Sequence, residues 1–416
     1  MKKPVKDMSL MQAESENIVL FYPHVSELAK KSVMETLDSR WIGQGPKVKL
    51  FEENFSKKFA SNSPAIAVGS GTDALHLSYM LAGLKPGDEV IAPVFTCTAT
   101  NIPFLYMGVK IKFADIDVNT MNIDANHVRQ LMSDKVKAII CVHYGGLPCD
   151  MNELKSIADE SNIPIIEDAA HAVGAKYKGV DIGSISDFTM FSFQAIKHIT
   201  TGDGGMVTTS NPQFTERLKL LRQHAMSVND RVRHESTKVI FEEHLELGYN
   251  YRMNEVTAAV ALAQVERIDV LVARRQKVAR YFNEAIEGCE WITQQYVPDG
   301  YVNTFWTFAT LYTGEEIIGL TWKGFYNKFK EMGGHGFYGG HSVVYEEPVI
   351  KDLTFLKSGY MFSNGPCNYS EAYKYEKGIC PVAERVQPLI MSFKTDYRDM
   401  RIAKKQALIL KHLIQS

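Results

Sequence analysis

Three short stretches of this sequence bring together side chains suited to chemistry. The first is Gly69-Ser70-Gly71-Thr72. Small residues let a backbone approach a ligand closely, and free N–H groups at a helix start favour an anion. The same residues also suit an ordinary strand-to-helix turn capped by Ser70 or Thr72. The second stretch, Pro164 to His171, is an apolar run ending in Glu167 and Asp168. A carboxylate at the carboxyl end of a central strand can hold a heterocyclic nitrogen protonated, and it can equally cap a following helix. The third runs from Phe191 to Gly205, where Lys197 follows an apolar run and precedes a glycine-rich turn. Exclusion of water there would depress the amine pKa and make it nucleophilic, whereas a lysine in an ordinary loop is solvated. A phosphate cradle, a strand-end Asp and an activated Lys together are what pyridoxal 5′-phosphate requires.

Those residues need a scaffold that places strand ends side by side. From about Ala65 to Thr209 short β-branched runs alternate with amphipathic stretches, the pattern of parallel strands joined by helices. Strands are expected at Ala65–Val68, Glu89–Pro93, Lys137–Val142, Pro164–Glu167, Phe188–Phe193 and Gly205–Thr209. Helices are expected at Thr72–Leu81 and Met151–Glu160. A long helix over Asn254–Gln276, striped with Val256, Ala259, Val260, Ala263, Ile268 and Leu271, should bridge to a second domain. The expected architecture is α/β: a large, mostly parallel-sheet domain over residues 1–275 and a smaller C-terminal α+β domain over 276–416. The latter ends in a helix near Asp399–Ile414 and contains a glycine-rich stretch at Gly333–Gly340.

Composition narrows the partners. A net charge of −2 on 416 residues gives no basic surface for nucleic acid. The N-terminus, MKKPVKDMSLMQAESENI, has basic residues without a following apolar core, and no apolar run approaches the length of a membrane span. A cytoplasmic location is expected. The six cysteines, Cys97, Cys141, Cys149, Cys289, Cys367 and Cys380, lack CxxC spacing and read as reduced thiols, with no metal site.

The ordered motifs GSGTDAL (Gly69–Leu75), EDAAHAVGA (Glu167–Ala175), FSFQAIKHITTGDGG (Phe191–Gly205), LRQHAM (Leu221–Met226) and GYNYRMNEVTAA (Gly248–Ala259) resemble landmarks of the DegT/DnrJ/EryC1/StrS sugar aminotransferases. WIGQGPKV (Trp41–Val48) and CPVAE (Cys380–Glu384) extend the resemblance over nearly the whole chain. It implies a fold-type-I pyridoxal-phosphate transferase that moves an amino group, from L-glutamate, to a keto or aldehyde carbon of a sugar. VHYGGLPCDM (Val142–Met151) and the lysine motif look closest to members acting on bacterial envelope sugars, hence a role in surface polysaccharide or lipopolysaccharide biosynthesis. By the same resemblance Lys197 binds the cofactor covalently and relays the proton, and Asp168 pairs with the pyridinium nitrogen. Gly71, Thr72 and Ser192 hold the phosphate, and His171 lies beside the ring hydroxyl. Asn250 reaches the phosphate from the other subunit of a homodimer with shared sites.

The chain departs from the family pattern in three places. Cys97, in PVFTCTAT, stands where an aromatic residue usually stacks on the cofactor, so a polarizable sulfur is expected to pack there instead. QPLIMSFKTDY (Gln387–Tyr397) replaces the usual SLP ending, and EMGGHGFYGGHSVVYEEP (Glu331–Pro348) is unusually glycine-rich. Both changes lie where acceptor sugars are often recognised. Two rivals bear on the reading. Sugar dehydratases of the same family characteristically have histidine in place of the lysine, whereas here Lys197 holds that position and His198 only follows it. A non-catalytic pyridoxal-phosphate-binding regulator would be expected to carry a DNA-binding segment, and none is apparent.

Overall fold

The computed structural model of the chain describes residues 23–228, 232, 236–354 and 373–416. The readings made of the first 18 residues and of Cys367 lie outside the described residues.

Seven strands form the main sheet: β1 (Ala65–Val68), β2 (Glu89–Pro93), β3 (Lys110–Ala114), β4 (Val136–Val142), β5 (Ile165–Asp168), β6 (Phe188–Ser192) and β7 (Gly205–Thr208), in the order β1-β7-β6-β5-β4-β2-β3. All neighbours run parallel except β7, which is antiparallel to β1 and β6. Strand alternation sends Ile66 and Val68 into one apolar layer and Ala65 and Ala67 into the other, so both faces are covered. This is a fold-type-I α/β architecture. Strand β3 was not expected from the sequence. Its two lysines obscure an edge strand in which Lys110 and Lys112 lie 3.4 and 3.5 Å from the Glu89 carboxylate while Ile111 and Phe113 enter the core.

Helix α1 (Gly71–Leu81) follows β1 directly. Helix α2 runs from Glu255 to Ile286, ten residues beyond the expected end at Gln276. Its early turns pack Ala258, Val265 and Ile268 against the large sheet, and its later turns pack Val278, Phe282 and Ile286 into a separate apolar cluster. The shift of partner hid the continuation, because the apolar stripe changes face when the neighbour changes. The later cluster is closed by a three-stranded antiparallel sheet of β8 (Ile292–Gln294), β9 (Phe308–Tyr312) and β10 (Ile390–Phe393), and by helix α3 (Met400–Gln415).

Several of the motifs turn out to be docking points. Glu255, first residue of α2, accepts the N–H groups of Gly45, Lys47 and Val48 at 3.0, 2.8 and 2.8 Å, which fixes the WIGQGPKV segment. Asp115, just past β3, takes the N–H groups of Val382 and Ala383, both at 2.8 Å, and seats the CPVAE turn against the large sheet.

Candidate active site

Asp168 is the last residue of β5, paired with Val142 on one side and Met190 on the other, and only 5% exposed. Oδ2 accepts from the Thr100 hydroxyl at 2.8 Å, and Oδ1 accepts from the Ala170 N–H at 3.0 Å. No helix starts after it, so the capping alternative does not hold. Burial raises its pKa, against the opposing pull of Thr100, Ala170, Lys197 and His143. One hydrogen bond per oxygen leaves lone pairs free for a protonated ring nitrogen.

Glu167 points to the opposite face of the sheet, as strand alternation demands. Its carboxylate accepts from the Thr189 hydroxyl and meets His143 Nε2, both at 2.9 Å, with His143 and Glu167 fully buried. Burial disfavours a charged imidazole, but Cys149 and Glu167 outweigh it and pull the group toward its charged form. However, Nδ1 already accepts the Cys149 N–H at 3.0 Å, and a proton there would break that bond. We therefore assign the neutral Nε2–H tautomer, donating to a carboxylate. The His143 N–H also donates to the Asp168 carbonyl at 3.2 Å, so this pair anchors the strand end that carries Asp168.

Lys197 sits in the turn after β6, its side chain partly buried, with Nζ 4.7 Å from the centre of the Trp306 ring. Burial lowers its pKa to about 8, opposed by the Asp168 carboxylate and the Cys97 thiol that face it. The Trp306 indole N–H donates to the Ile196 carbonyl at 3.0 Å and so ties the lysine turn to the C-terminal half of the chain. His171 stacks on Trp306 with ring centres 3.8 Å apart and planes 2° apart. Burial, then Lys197 and other nearby cations, push its pKa far down, and its Nδ1 is buried without a hydrogen-bond partner among the described residues. Such a neutral imidazole fits a ring hydroxyl beside it.

The residues expected to cradle a phosphate meet at the start of α1. The Ser70 hydroxyl caps the helix by accepting from Asp73 N at 3.0 Å, so the capping and anion readings of this turn are compatible. Gly71 lies so close to β6 that a Cβ there would come within 2.9 Å of Ser192 Cβ and 3.1 Å of Met190 Cε. Glycine is therefore required at this position for the helix N-terminus to reach Ser192. Thr72 follows in the first turn. Cys97 is exposed at the head of a short turn, Thr98–Thr100, that also carries the Asp168 partner Thr100. Asp168, Cys97 and His171 thus all lie within electrostatic reach of Lys197, and Gly71 packs against Ser192 at the start of α1. Asn250 is not part of that group within the chain: its side chain is exposed, while its neighbour Tyr251 accepts the Gly69 N–H at 2.8 Å.

Sequence reasoning missed several members of the site. Trp306 was visible only as part of an aromatic run. His341 ends the glycine-rich stretch with its ring 5.9 Å from His171 and nearly parallel to it, and burial lowers its pKa to about 4. A histidine closing a run of glycines was the available signal. Phe95 explains part of that run, since a Cβ on Gly340 would come within 2.7 Å of its ring.

The sequence signature of the DegT/DnrJ/EryC1/StrS aminotransferase family matches residues 23–359. The chain belongs to this family. Among its relatives, the Bacillus subtilis spore coat polysaccharide biosynthesis protein SpsC is 35% identical over 312 residues, covering 75% of this chain and 80% of SpsC. The uncharacterized Methanocaldococcus jannaschii protein MJ1066 is 41% identical over 270 residues, covering 65% of this chain and 70% of MJ1066. The fold matches that of Streptococcus pneumoniae Spr1654 in its PMP form with a TM-score of 0.83 at 23% identity, covering 96% of this chain and 99% of that one.

Proposed function

We propose that this chain is a pyridoxal 5′-phosphate-dependent aminotransferase that places an amino group, drawn from L-glutamate, on a keto or aldehyde carbon of a sugar. The observation that carries the reading is the Lys197 amine, lowered to about 8 and within electrostatic reach of a buried Asp168. Gly71 and Thr72 N–H groups and the Ser192 hydroxyl bind the cofactor phosphate at the positive end of α1. Asp168 holds the ring nitrogen in its protonated state, and His171 donates or accepts at the ring hydroxyl. When bound, the cofactor supplies an aldehyde carbon that takes up and gives back the amino group, and a ring that draws electron density from the substrate carbon. Lys197 Nζ moves the proton to and from that carbon, and Trp306 shields one side of the amine from water. Lysine at position 197, in place of histidine, favours amino transfer over dehydration.

The acceptor is a nucleotide-linked keto-deoxysugar or an oxidised eight-carbon envelope sugar, in surface polysaccharide or lipopolysaccharide biosynthesis; the similarity to SpsC, a spore coat polysaccharide biosynthesis protein, supports the general setting. Among the described residues no helix is long and apolar enough to cross a membrane, which accords with a cytoplasmic enzyme. The acceptor is tested by loading the enzyme with amine from glutamate and following the return of visible absorbance across a panel of keto sugars. No sugar restoring the absorbance would overturn the reading.

Lys197 sets a pH dependence. Because its folded pKa lies below the usual 10.5, the apo chain binds fewer protons than the unfolded chain between about pH 8 and 10.5, and the Lys197 contribution makes stability rise across that window. The same shift exposes free amine near neutral pH. Covalent capture of the cofactor by apoenzyme is expected to quicken with a midpoint near pH 8, read from the visible band in stopped flow; a midpoint near that of an ordinary lysine would contradict the assignment.

Asn250 belongs to the proposed homodimer. If its amide reaches the partner's cofactor phosphate, a cofactor held by two chains stabilises their pairing. Asn250→Ala removes a hydrogen bond to a charged group and should cost about 1.5–3 kcal/mol in cofactor binding. Sedimentation should show the variant dimer loosening only when cofactor is scarce. A cofactor-loaded monomer with full activity would refute the shared site.

A further inference from the structure

Strand β1 ends the main sheet, with β7 on one side and an open edge on the other. An edge strand has backbone groups that its sheet cannot pair, and in an antiparallel pair alternate residues turn both of theirs outward. Here the outward residues are Ala67 and, just past the strand, Gly69, which leads into the Gly71 turn. What meets Ala67 is a buried ion pair. Glu52 lies on the helix Pro46–Phe59, one turn after Val48 and at the margin of the face that buries Val48, Phe51, Phe55 and Phe59. Its Oε1 accepts the Ala67 N–H at 2.9 Å. Arg222, just past the helix Pro212–Leu221, donates from Nη1 to that same Oε1 at 2.5 Å and to the Ala67 carbonyl at 2.7 Å. Both backbone groups of Ala67 are thus held by side chains only 12% and 6% exposed.

Arg222 acts on the same edge a second time, through its backbone. Its carbonyl accepts the Tyr251 N–H at 2.9 Å, and the Tyr251 carbonyl accepts the Gly69 N–H at 2.8 Å. Asn250 lies within this ladder, between Tyr251 and Tyr249, whose N–H donates to the Leu221 carbonyl at 2.7 Å. On the other side of the turn, Gly205 of β7 packs so closely that a Cβ there would collide with the Ser70 carbonyl. The turn from Gly69 to Gly71 is therefore held between β7 and the segment that Arg222 clamps.

We infer that Glu52 and Arg222 are positioning residues for the cofactor phosphate, an inference that rests on the proposed cofactor function. They act through Ala67, Gly69 and Tyr251, without touching the ligand. N–H groups at a helix start bind an oxyanion only when aimed at it, and a site whose support is loose by about 1 Å is lost. The clamp aims the start of α1, and it fixes the segment that carries Asn250. One ion pair therefore sets the cradle of its own chain together with the contact proposed for the partner's cofactor. Supporting partners of a metal ligand typically account for about 10–100-fold in affinity, and an effect of the same order is expected here.

The test is to titrate full-length apoenzyme with pyridoxal 5′-phosphate and with pyridoxal, which has the same ring and aldehyde but no phosphate, reading the visible band. Arg222→Gln should weaken binding of pyridoxal phosphate about tenfold or more and that of pyridoxal by less than about twofold, and it should move the phosphorus resonance of the bound cofactor. Arg222→Lys, which keeps the charge, should recover affinity to within about threefold of the wild type. If Arg222→Gln does not fold, because it leaves the Glu52 carboxylate buried and unpaired, Glu52→Gln keeps the shape and the acceptor oxygen and should give the same selective loss, about threefold or more. Equal losses for the two ligands in the folded variants would make the pair merely structural and overturn the inference, as would unchanged affinity for pyridoxal phosphate. A wild type that captures neither ligand would refute the proposed cofactor function, and the inference with it.

Discussion

Lys197→Ala is expected to abolish amino transfer in both directions while leaving noncovalent cofactor binding through the Gly71, Thr72 and Ser192 cradle. On the proposed assignment two roles disappear with one side chain: the amine that would capture the cofactor and the base that would carry the proton at the substrate carbon. The proton relay alone is typically worth about 10²–10⁴ in rate. The neighbouring groups offer no substitute, because burial drives His171 and His198 strongly toward the neutral form but leaves neither with an amine to link the cofactor. Single-turnover assays with amine-loaded variant should show no transfer, and full activity would overturn the central assignment.

Asp168→Asn is expected to lower kcat by about two orders of magnitude or more, on the scale of other proton-holding groups, with little change in sugar KM. An amide is isosteric with the carboxylate but cannot hold a pyridinium by charge. With the amide oxygen on the Ala170 N–H, the Asn NH2 can donate to a Thr100 hydroxyl turned toward Thr96, so the fold and the ring position should survive. A loss confined to KM would place Asp168 with the sugar instead of the cofactor.

The parts of the site carried by strand ends were legible in the sequence. β5 is a short apolar run whose last residues break into polar chemistry, and that contrast marks Asp168; Ser192 was reached only through the family resemblance. Lys197 was legible because a glycine-rich turn follows it. What remained hidden depends on contacts between distant segments. Nothing in the local pattern around Trp306 pairs it with His171, yet the stack at 3.8 Å closes one side of the amine. The His143 and Glu167 pair escaped for a related reason: Glu167 adjoins Asp168 in sequence, but alternation sends it to the far face, where His143, just past the end of β4, meets it. Edge strand β3 was masked by its lysines, and the far end of α2 by a change of packing partner.

The most direct test of the account is to reduce cofactor-loaded protein with borohydride, digest it and locate the added mass by tandem mass spectrometry. The account predicts one cofactor per chain, attached at Lys197 Nζ and absent from Lys197→Ala. Attachment at another lysine, or no attachment in the wild type, would contradict it.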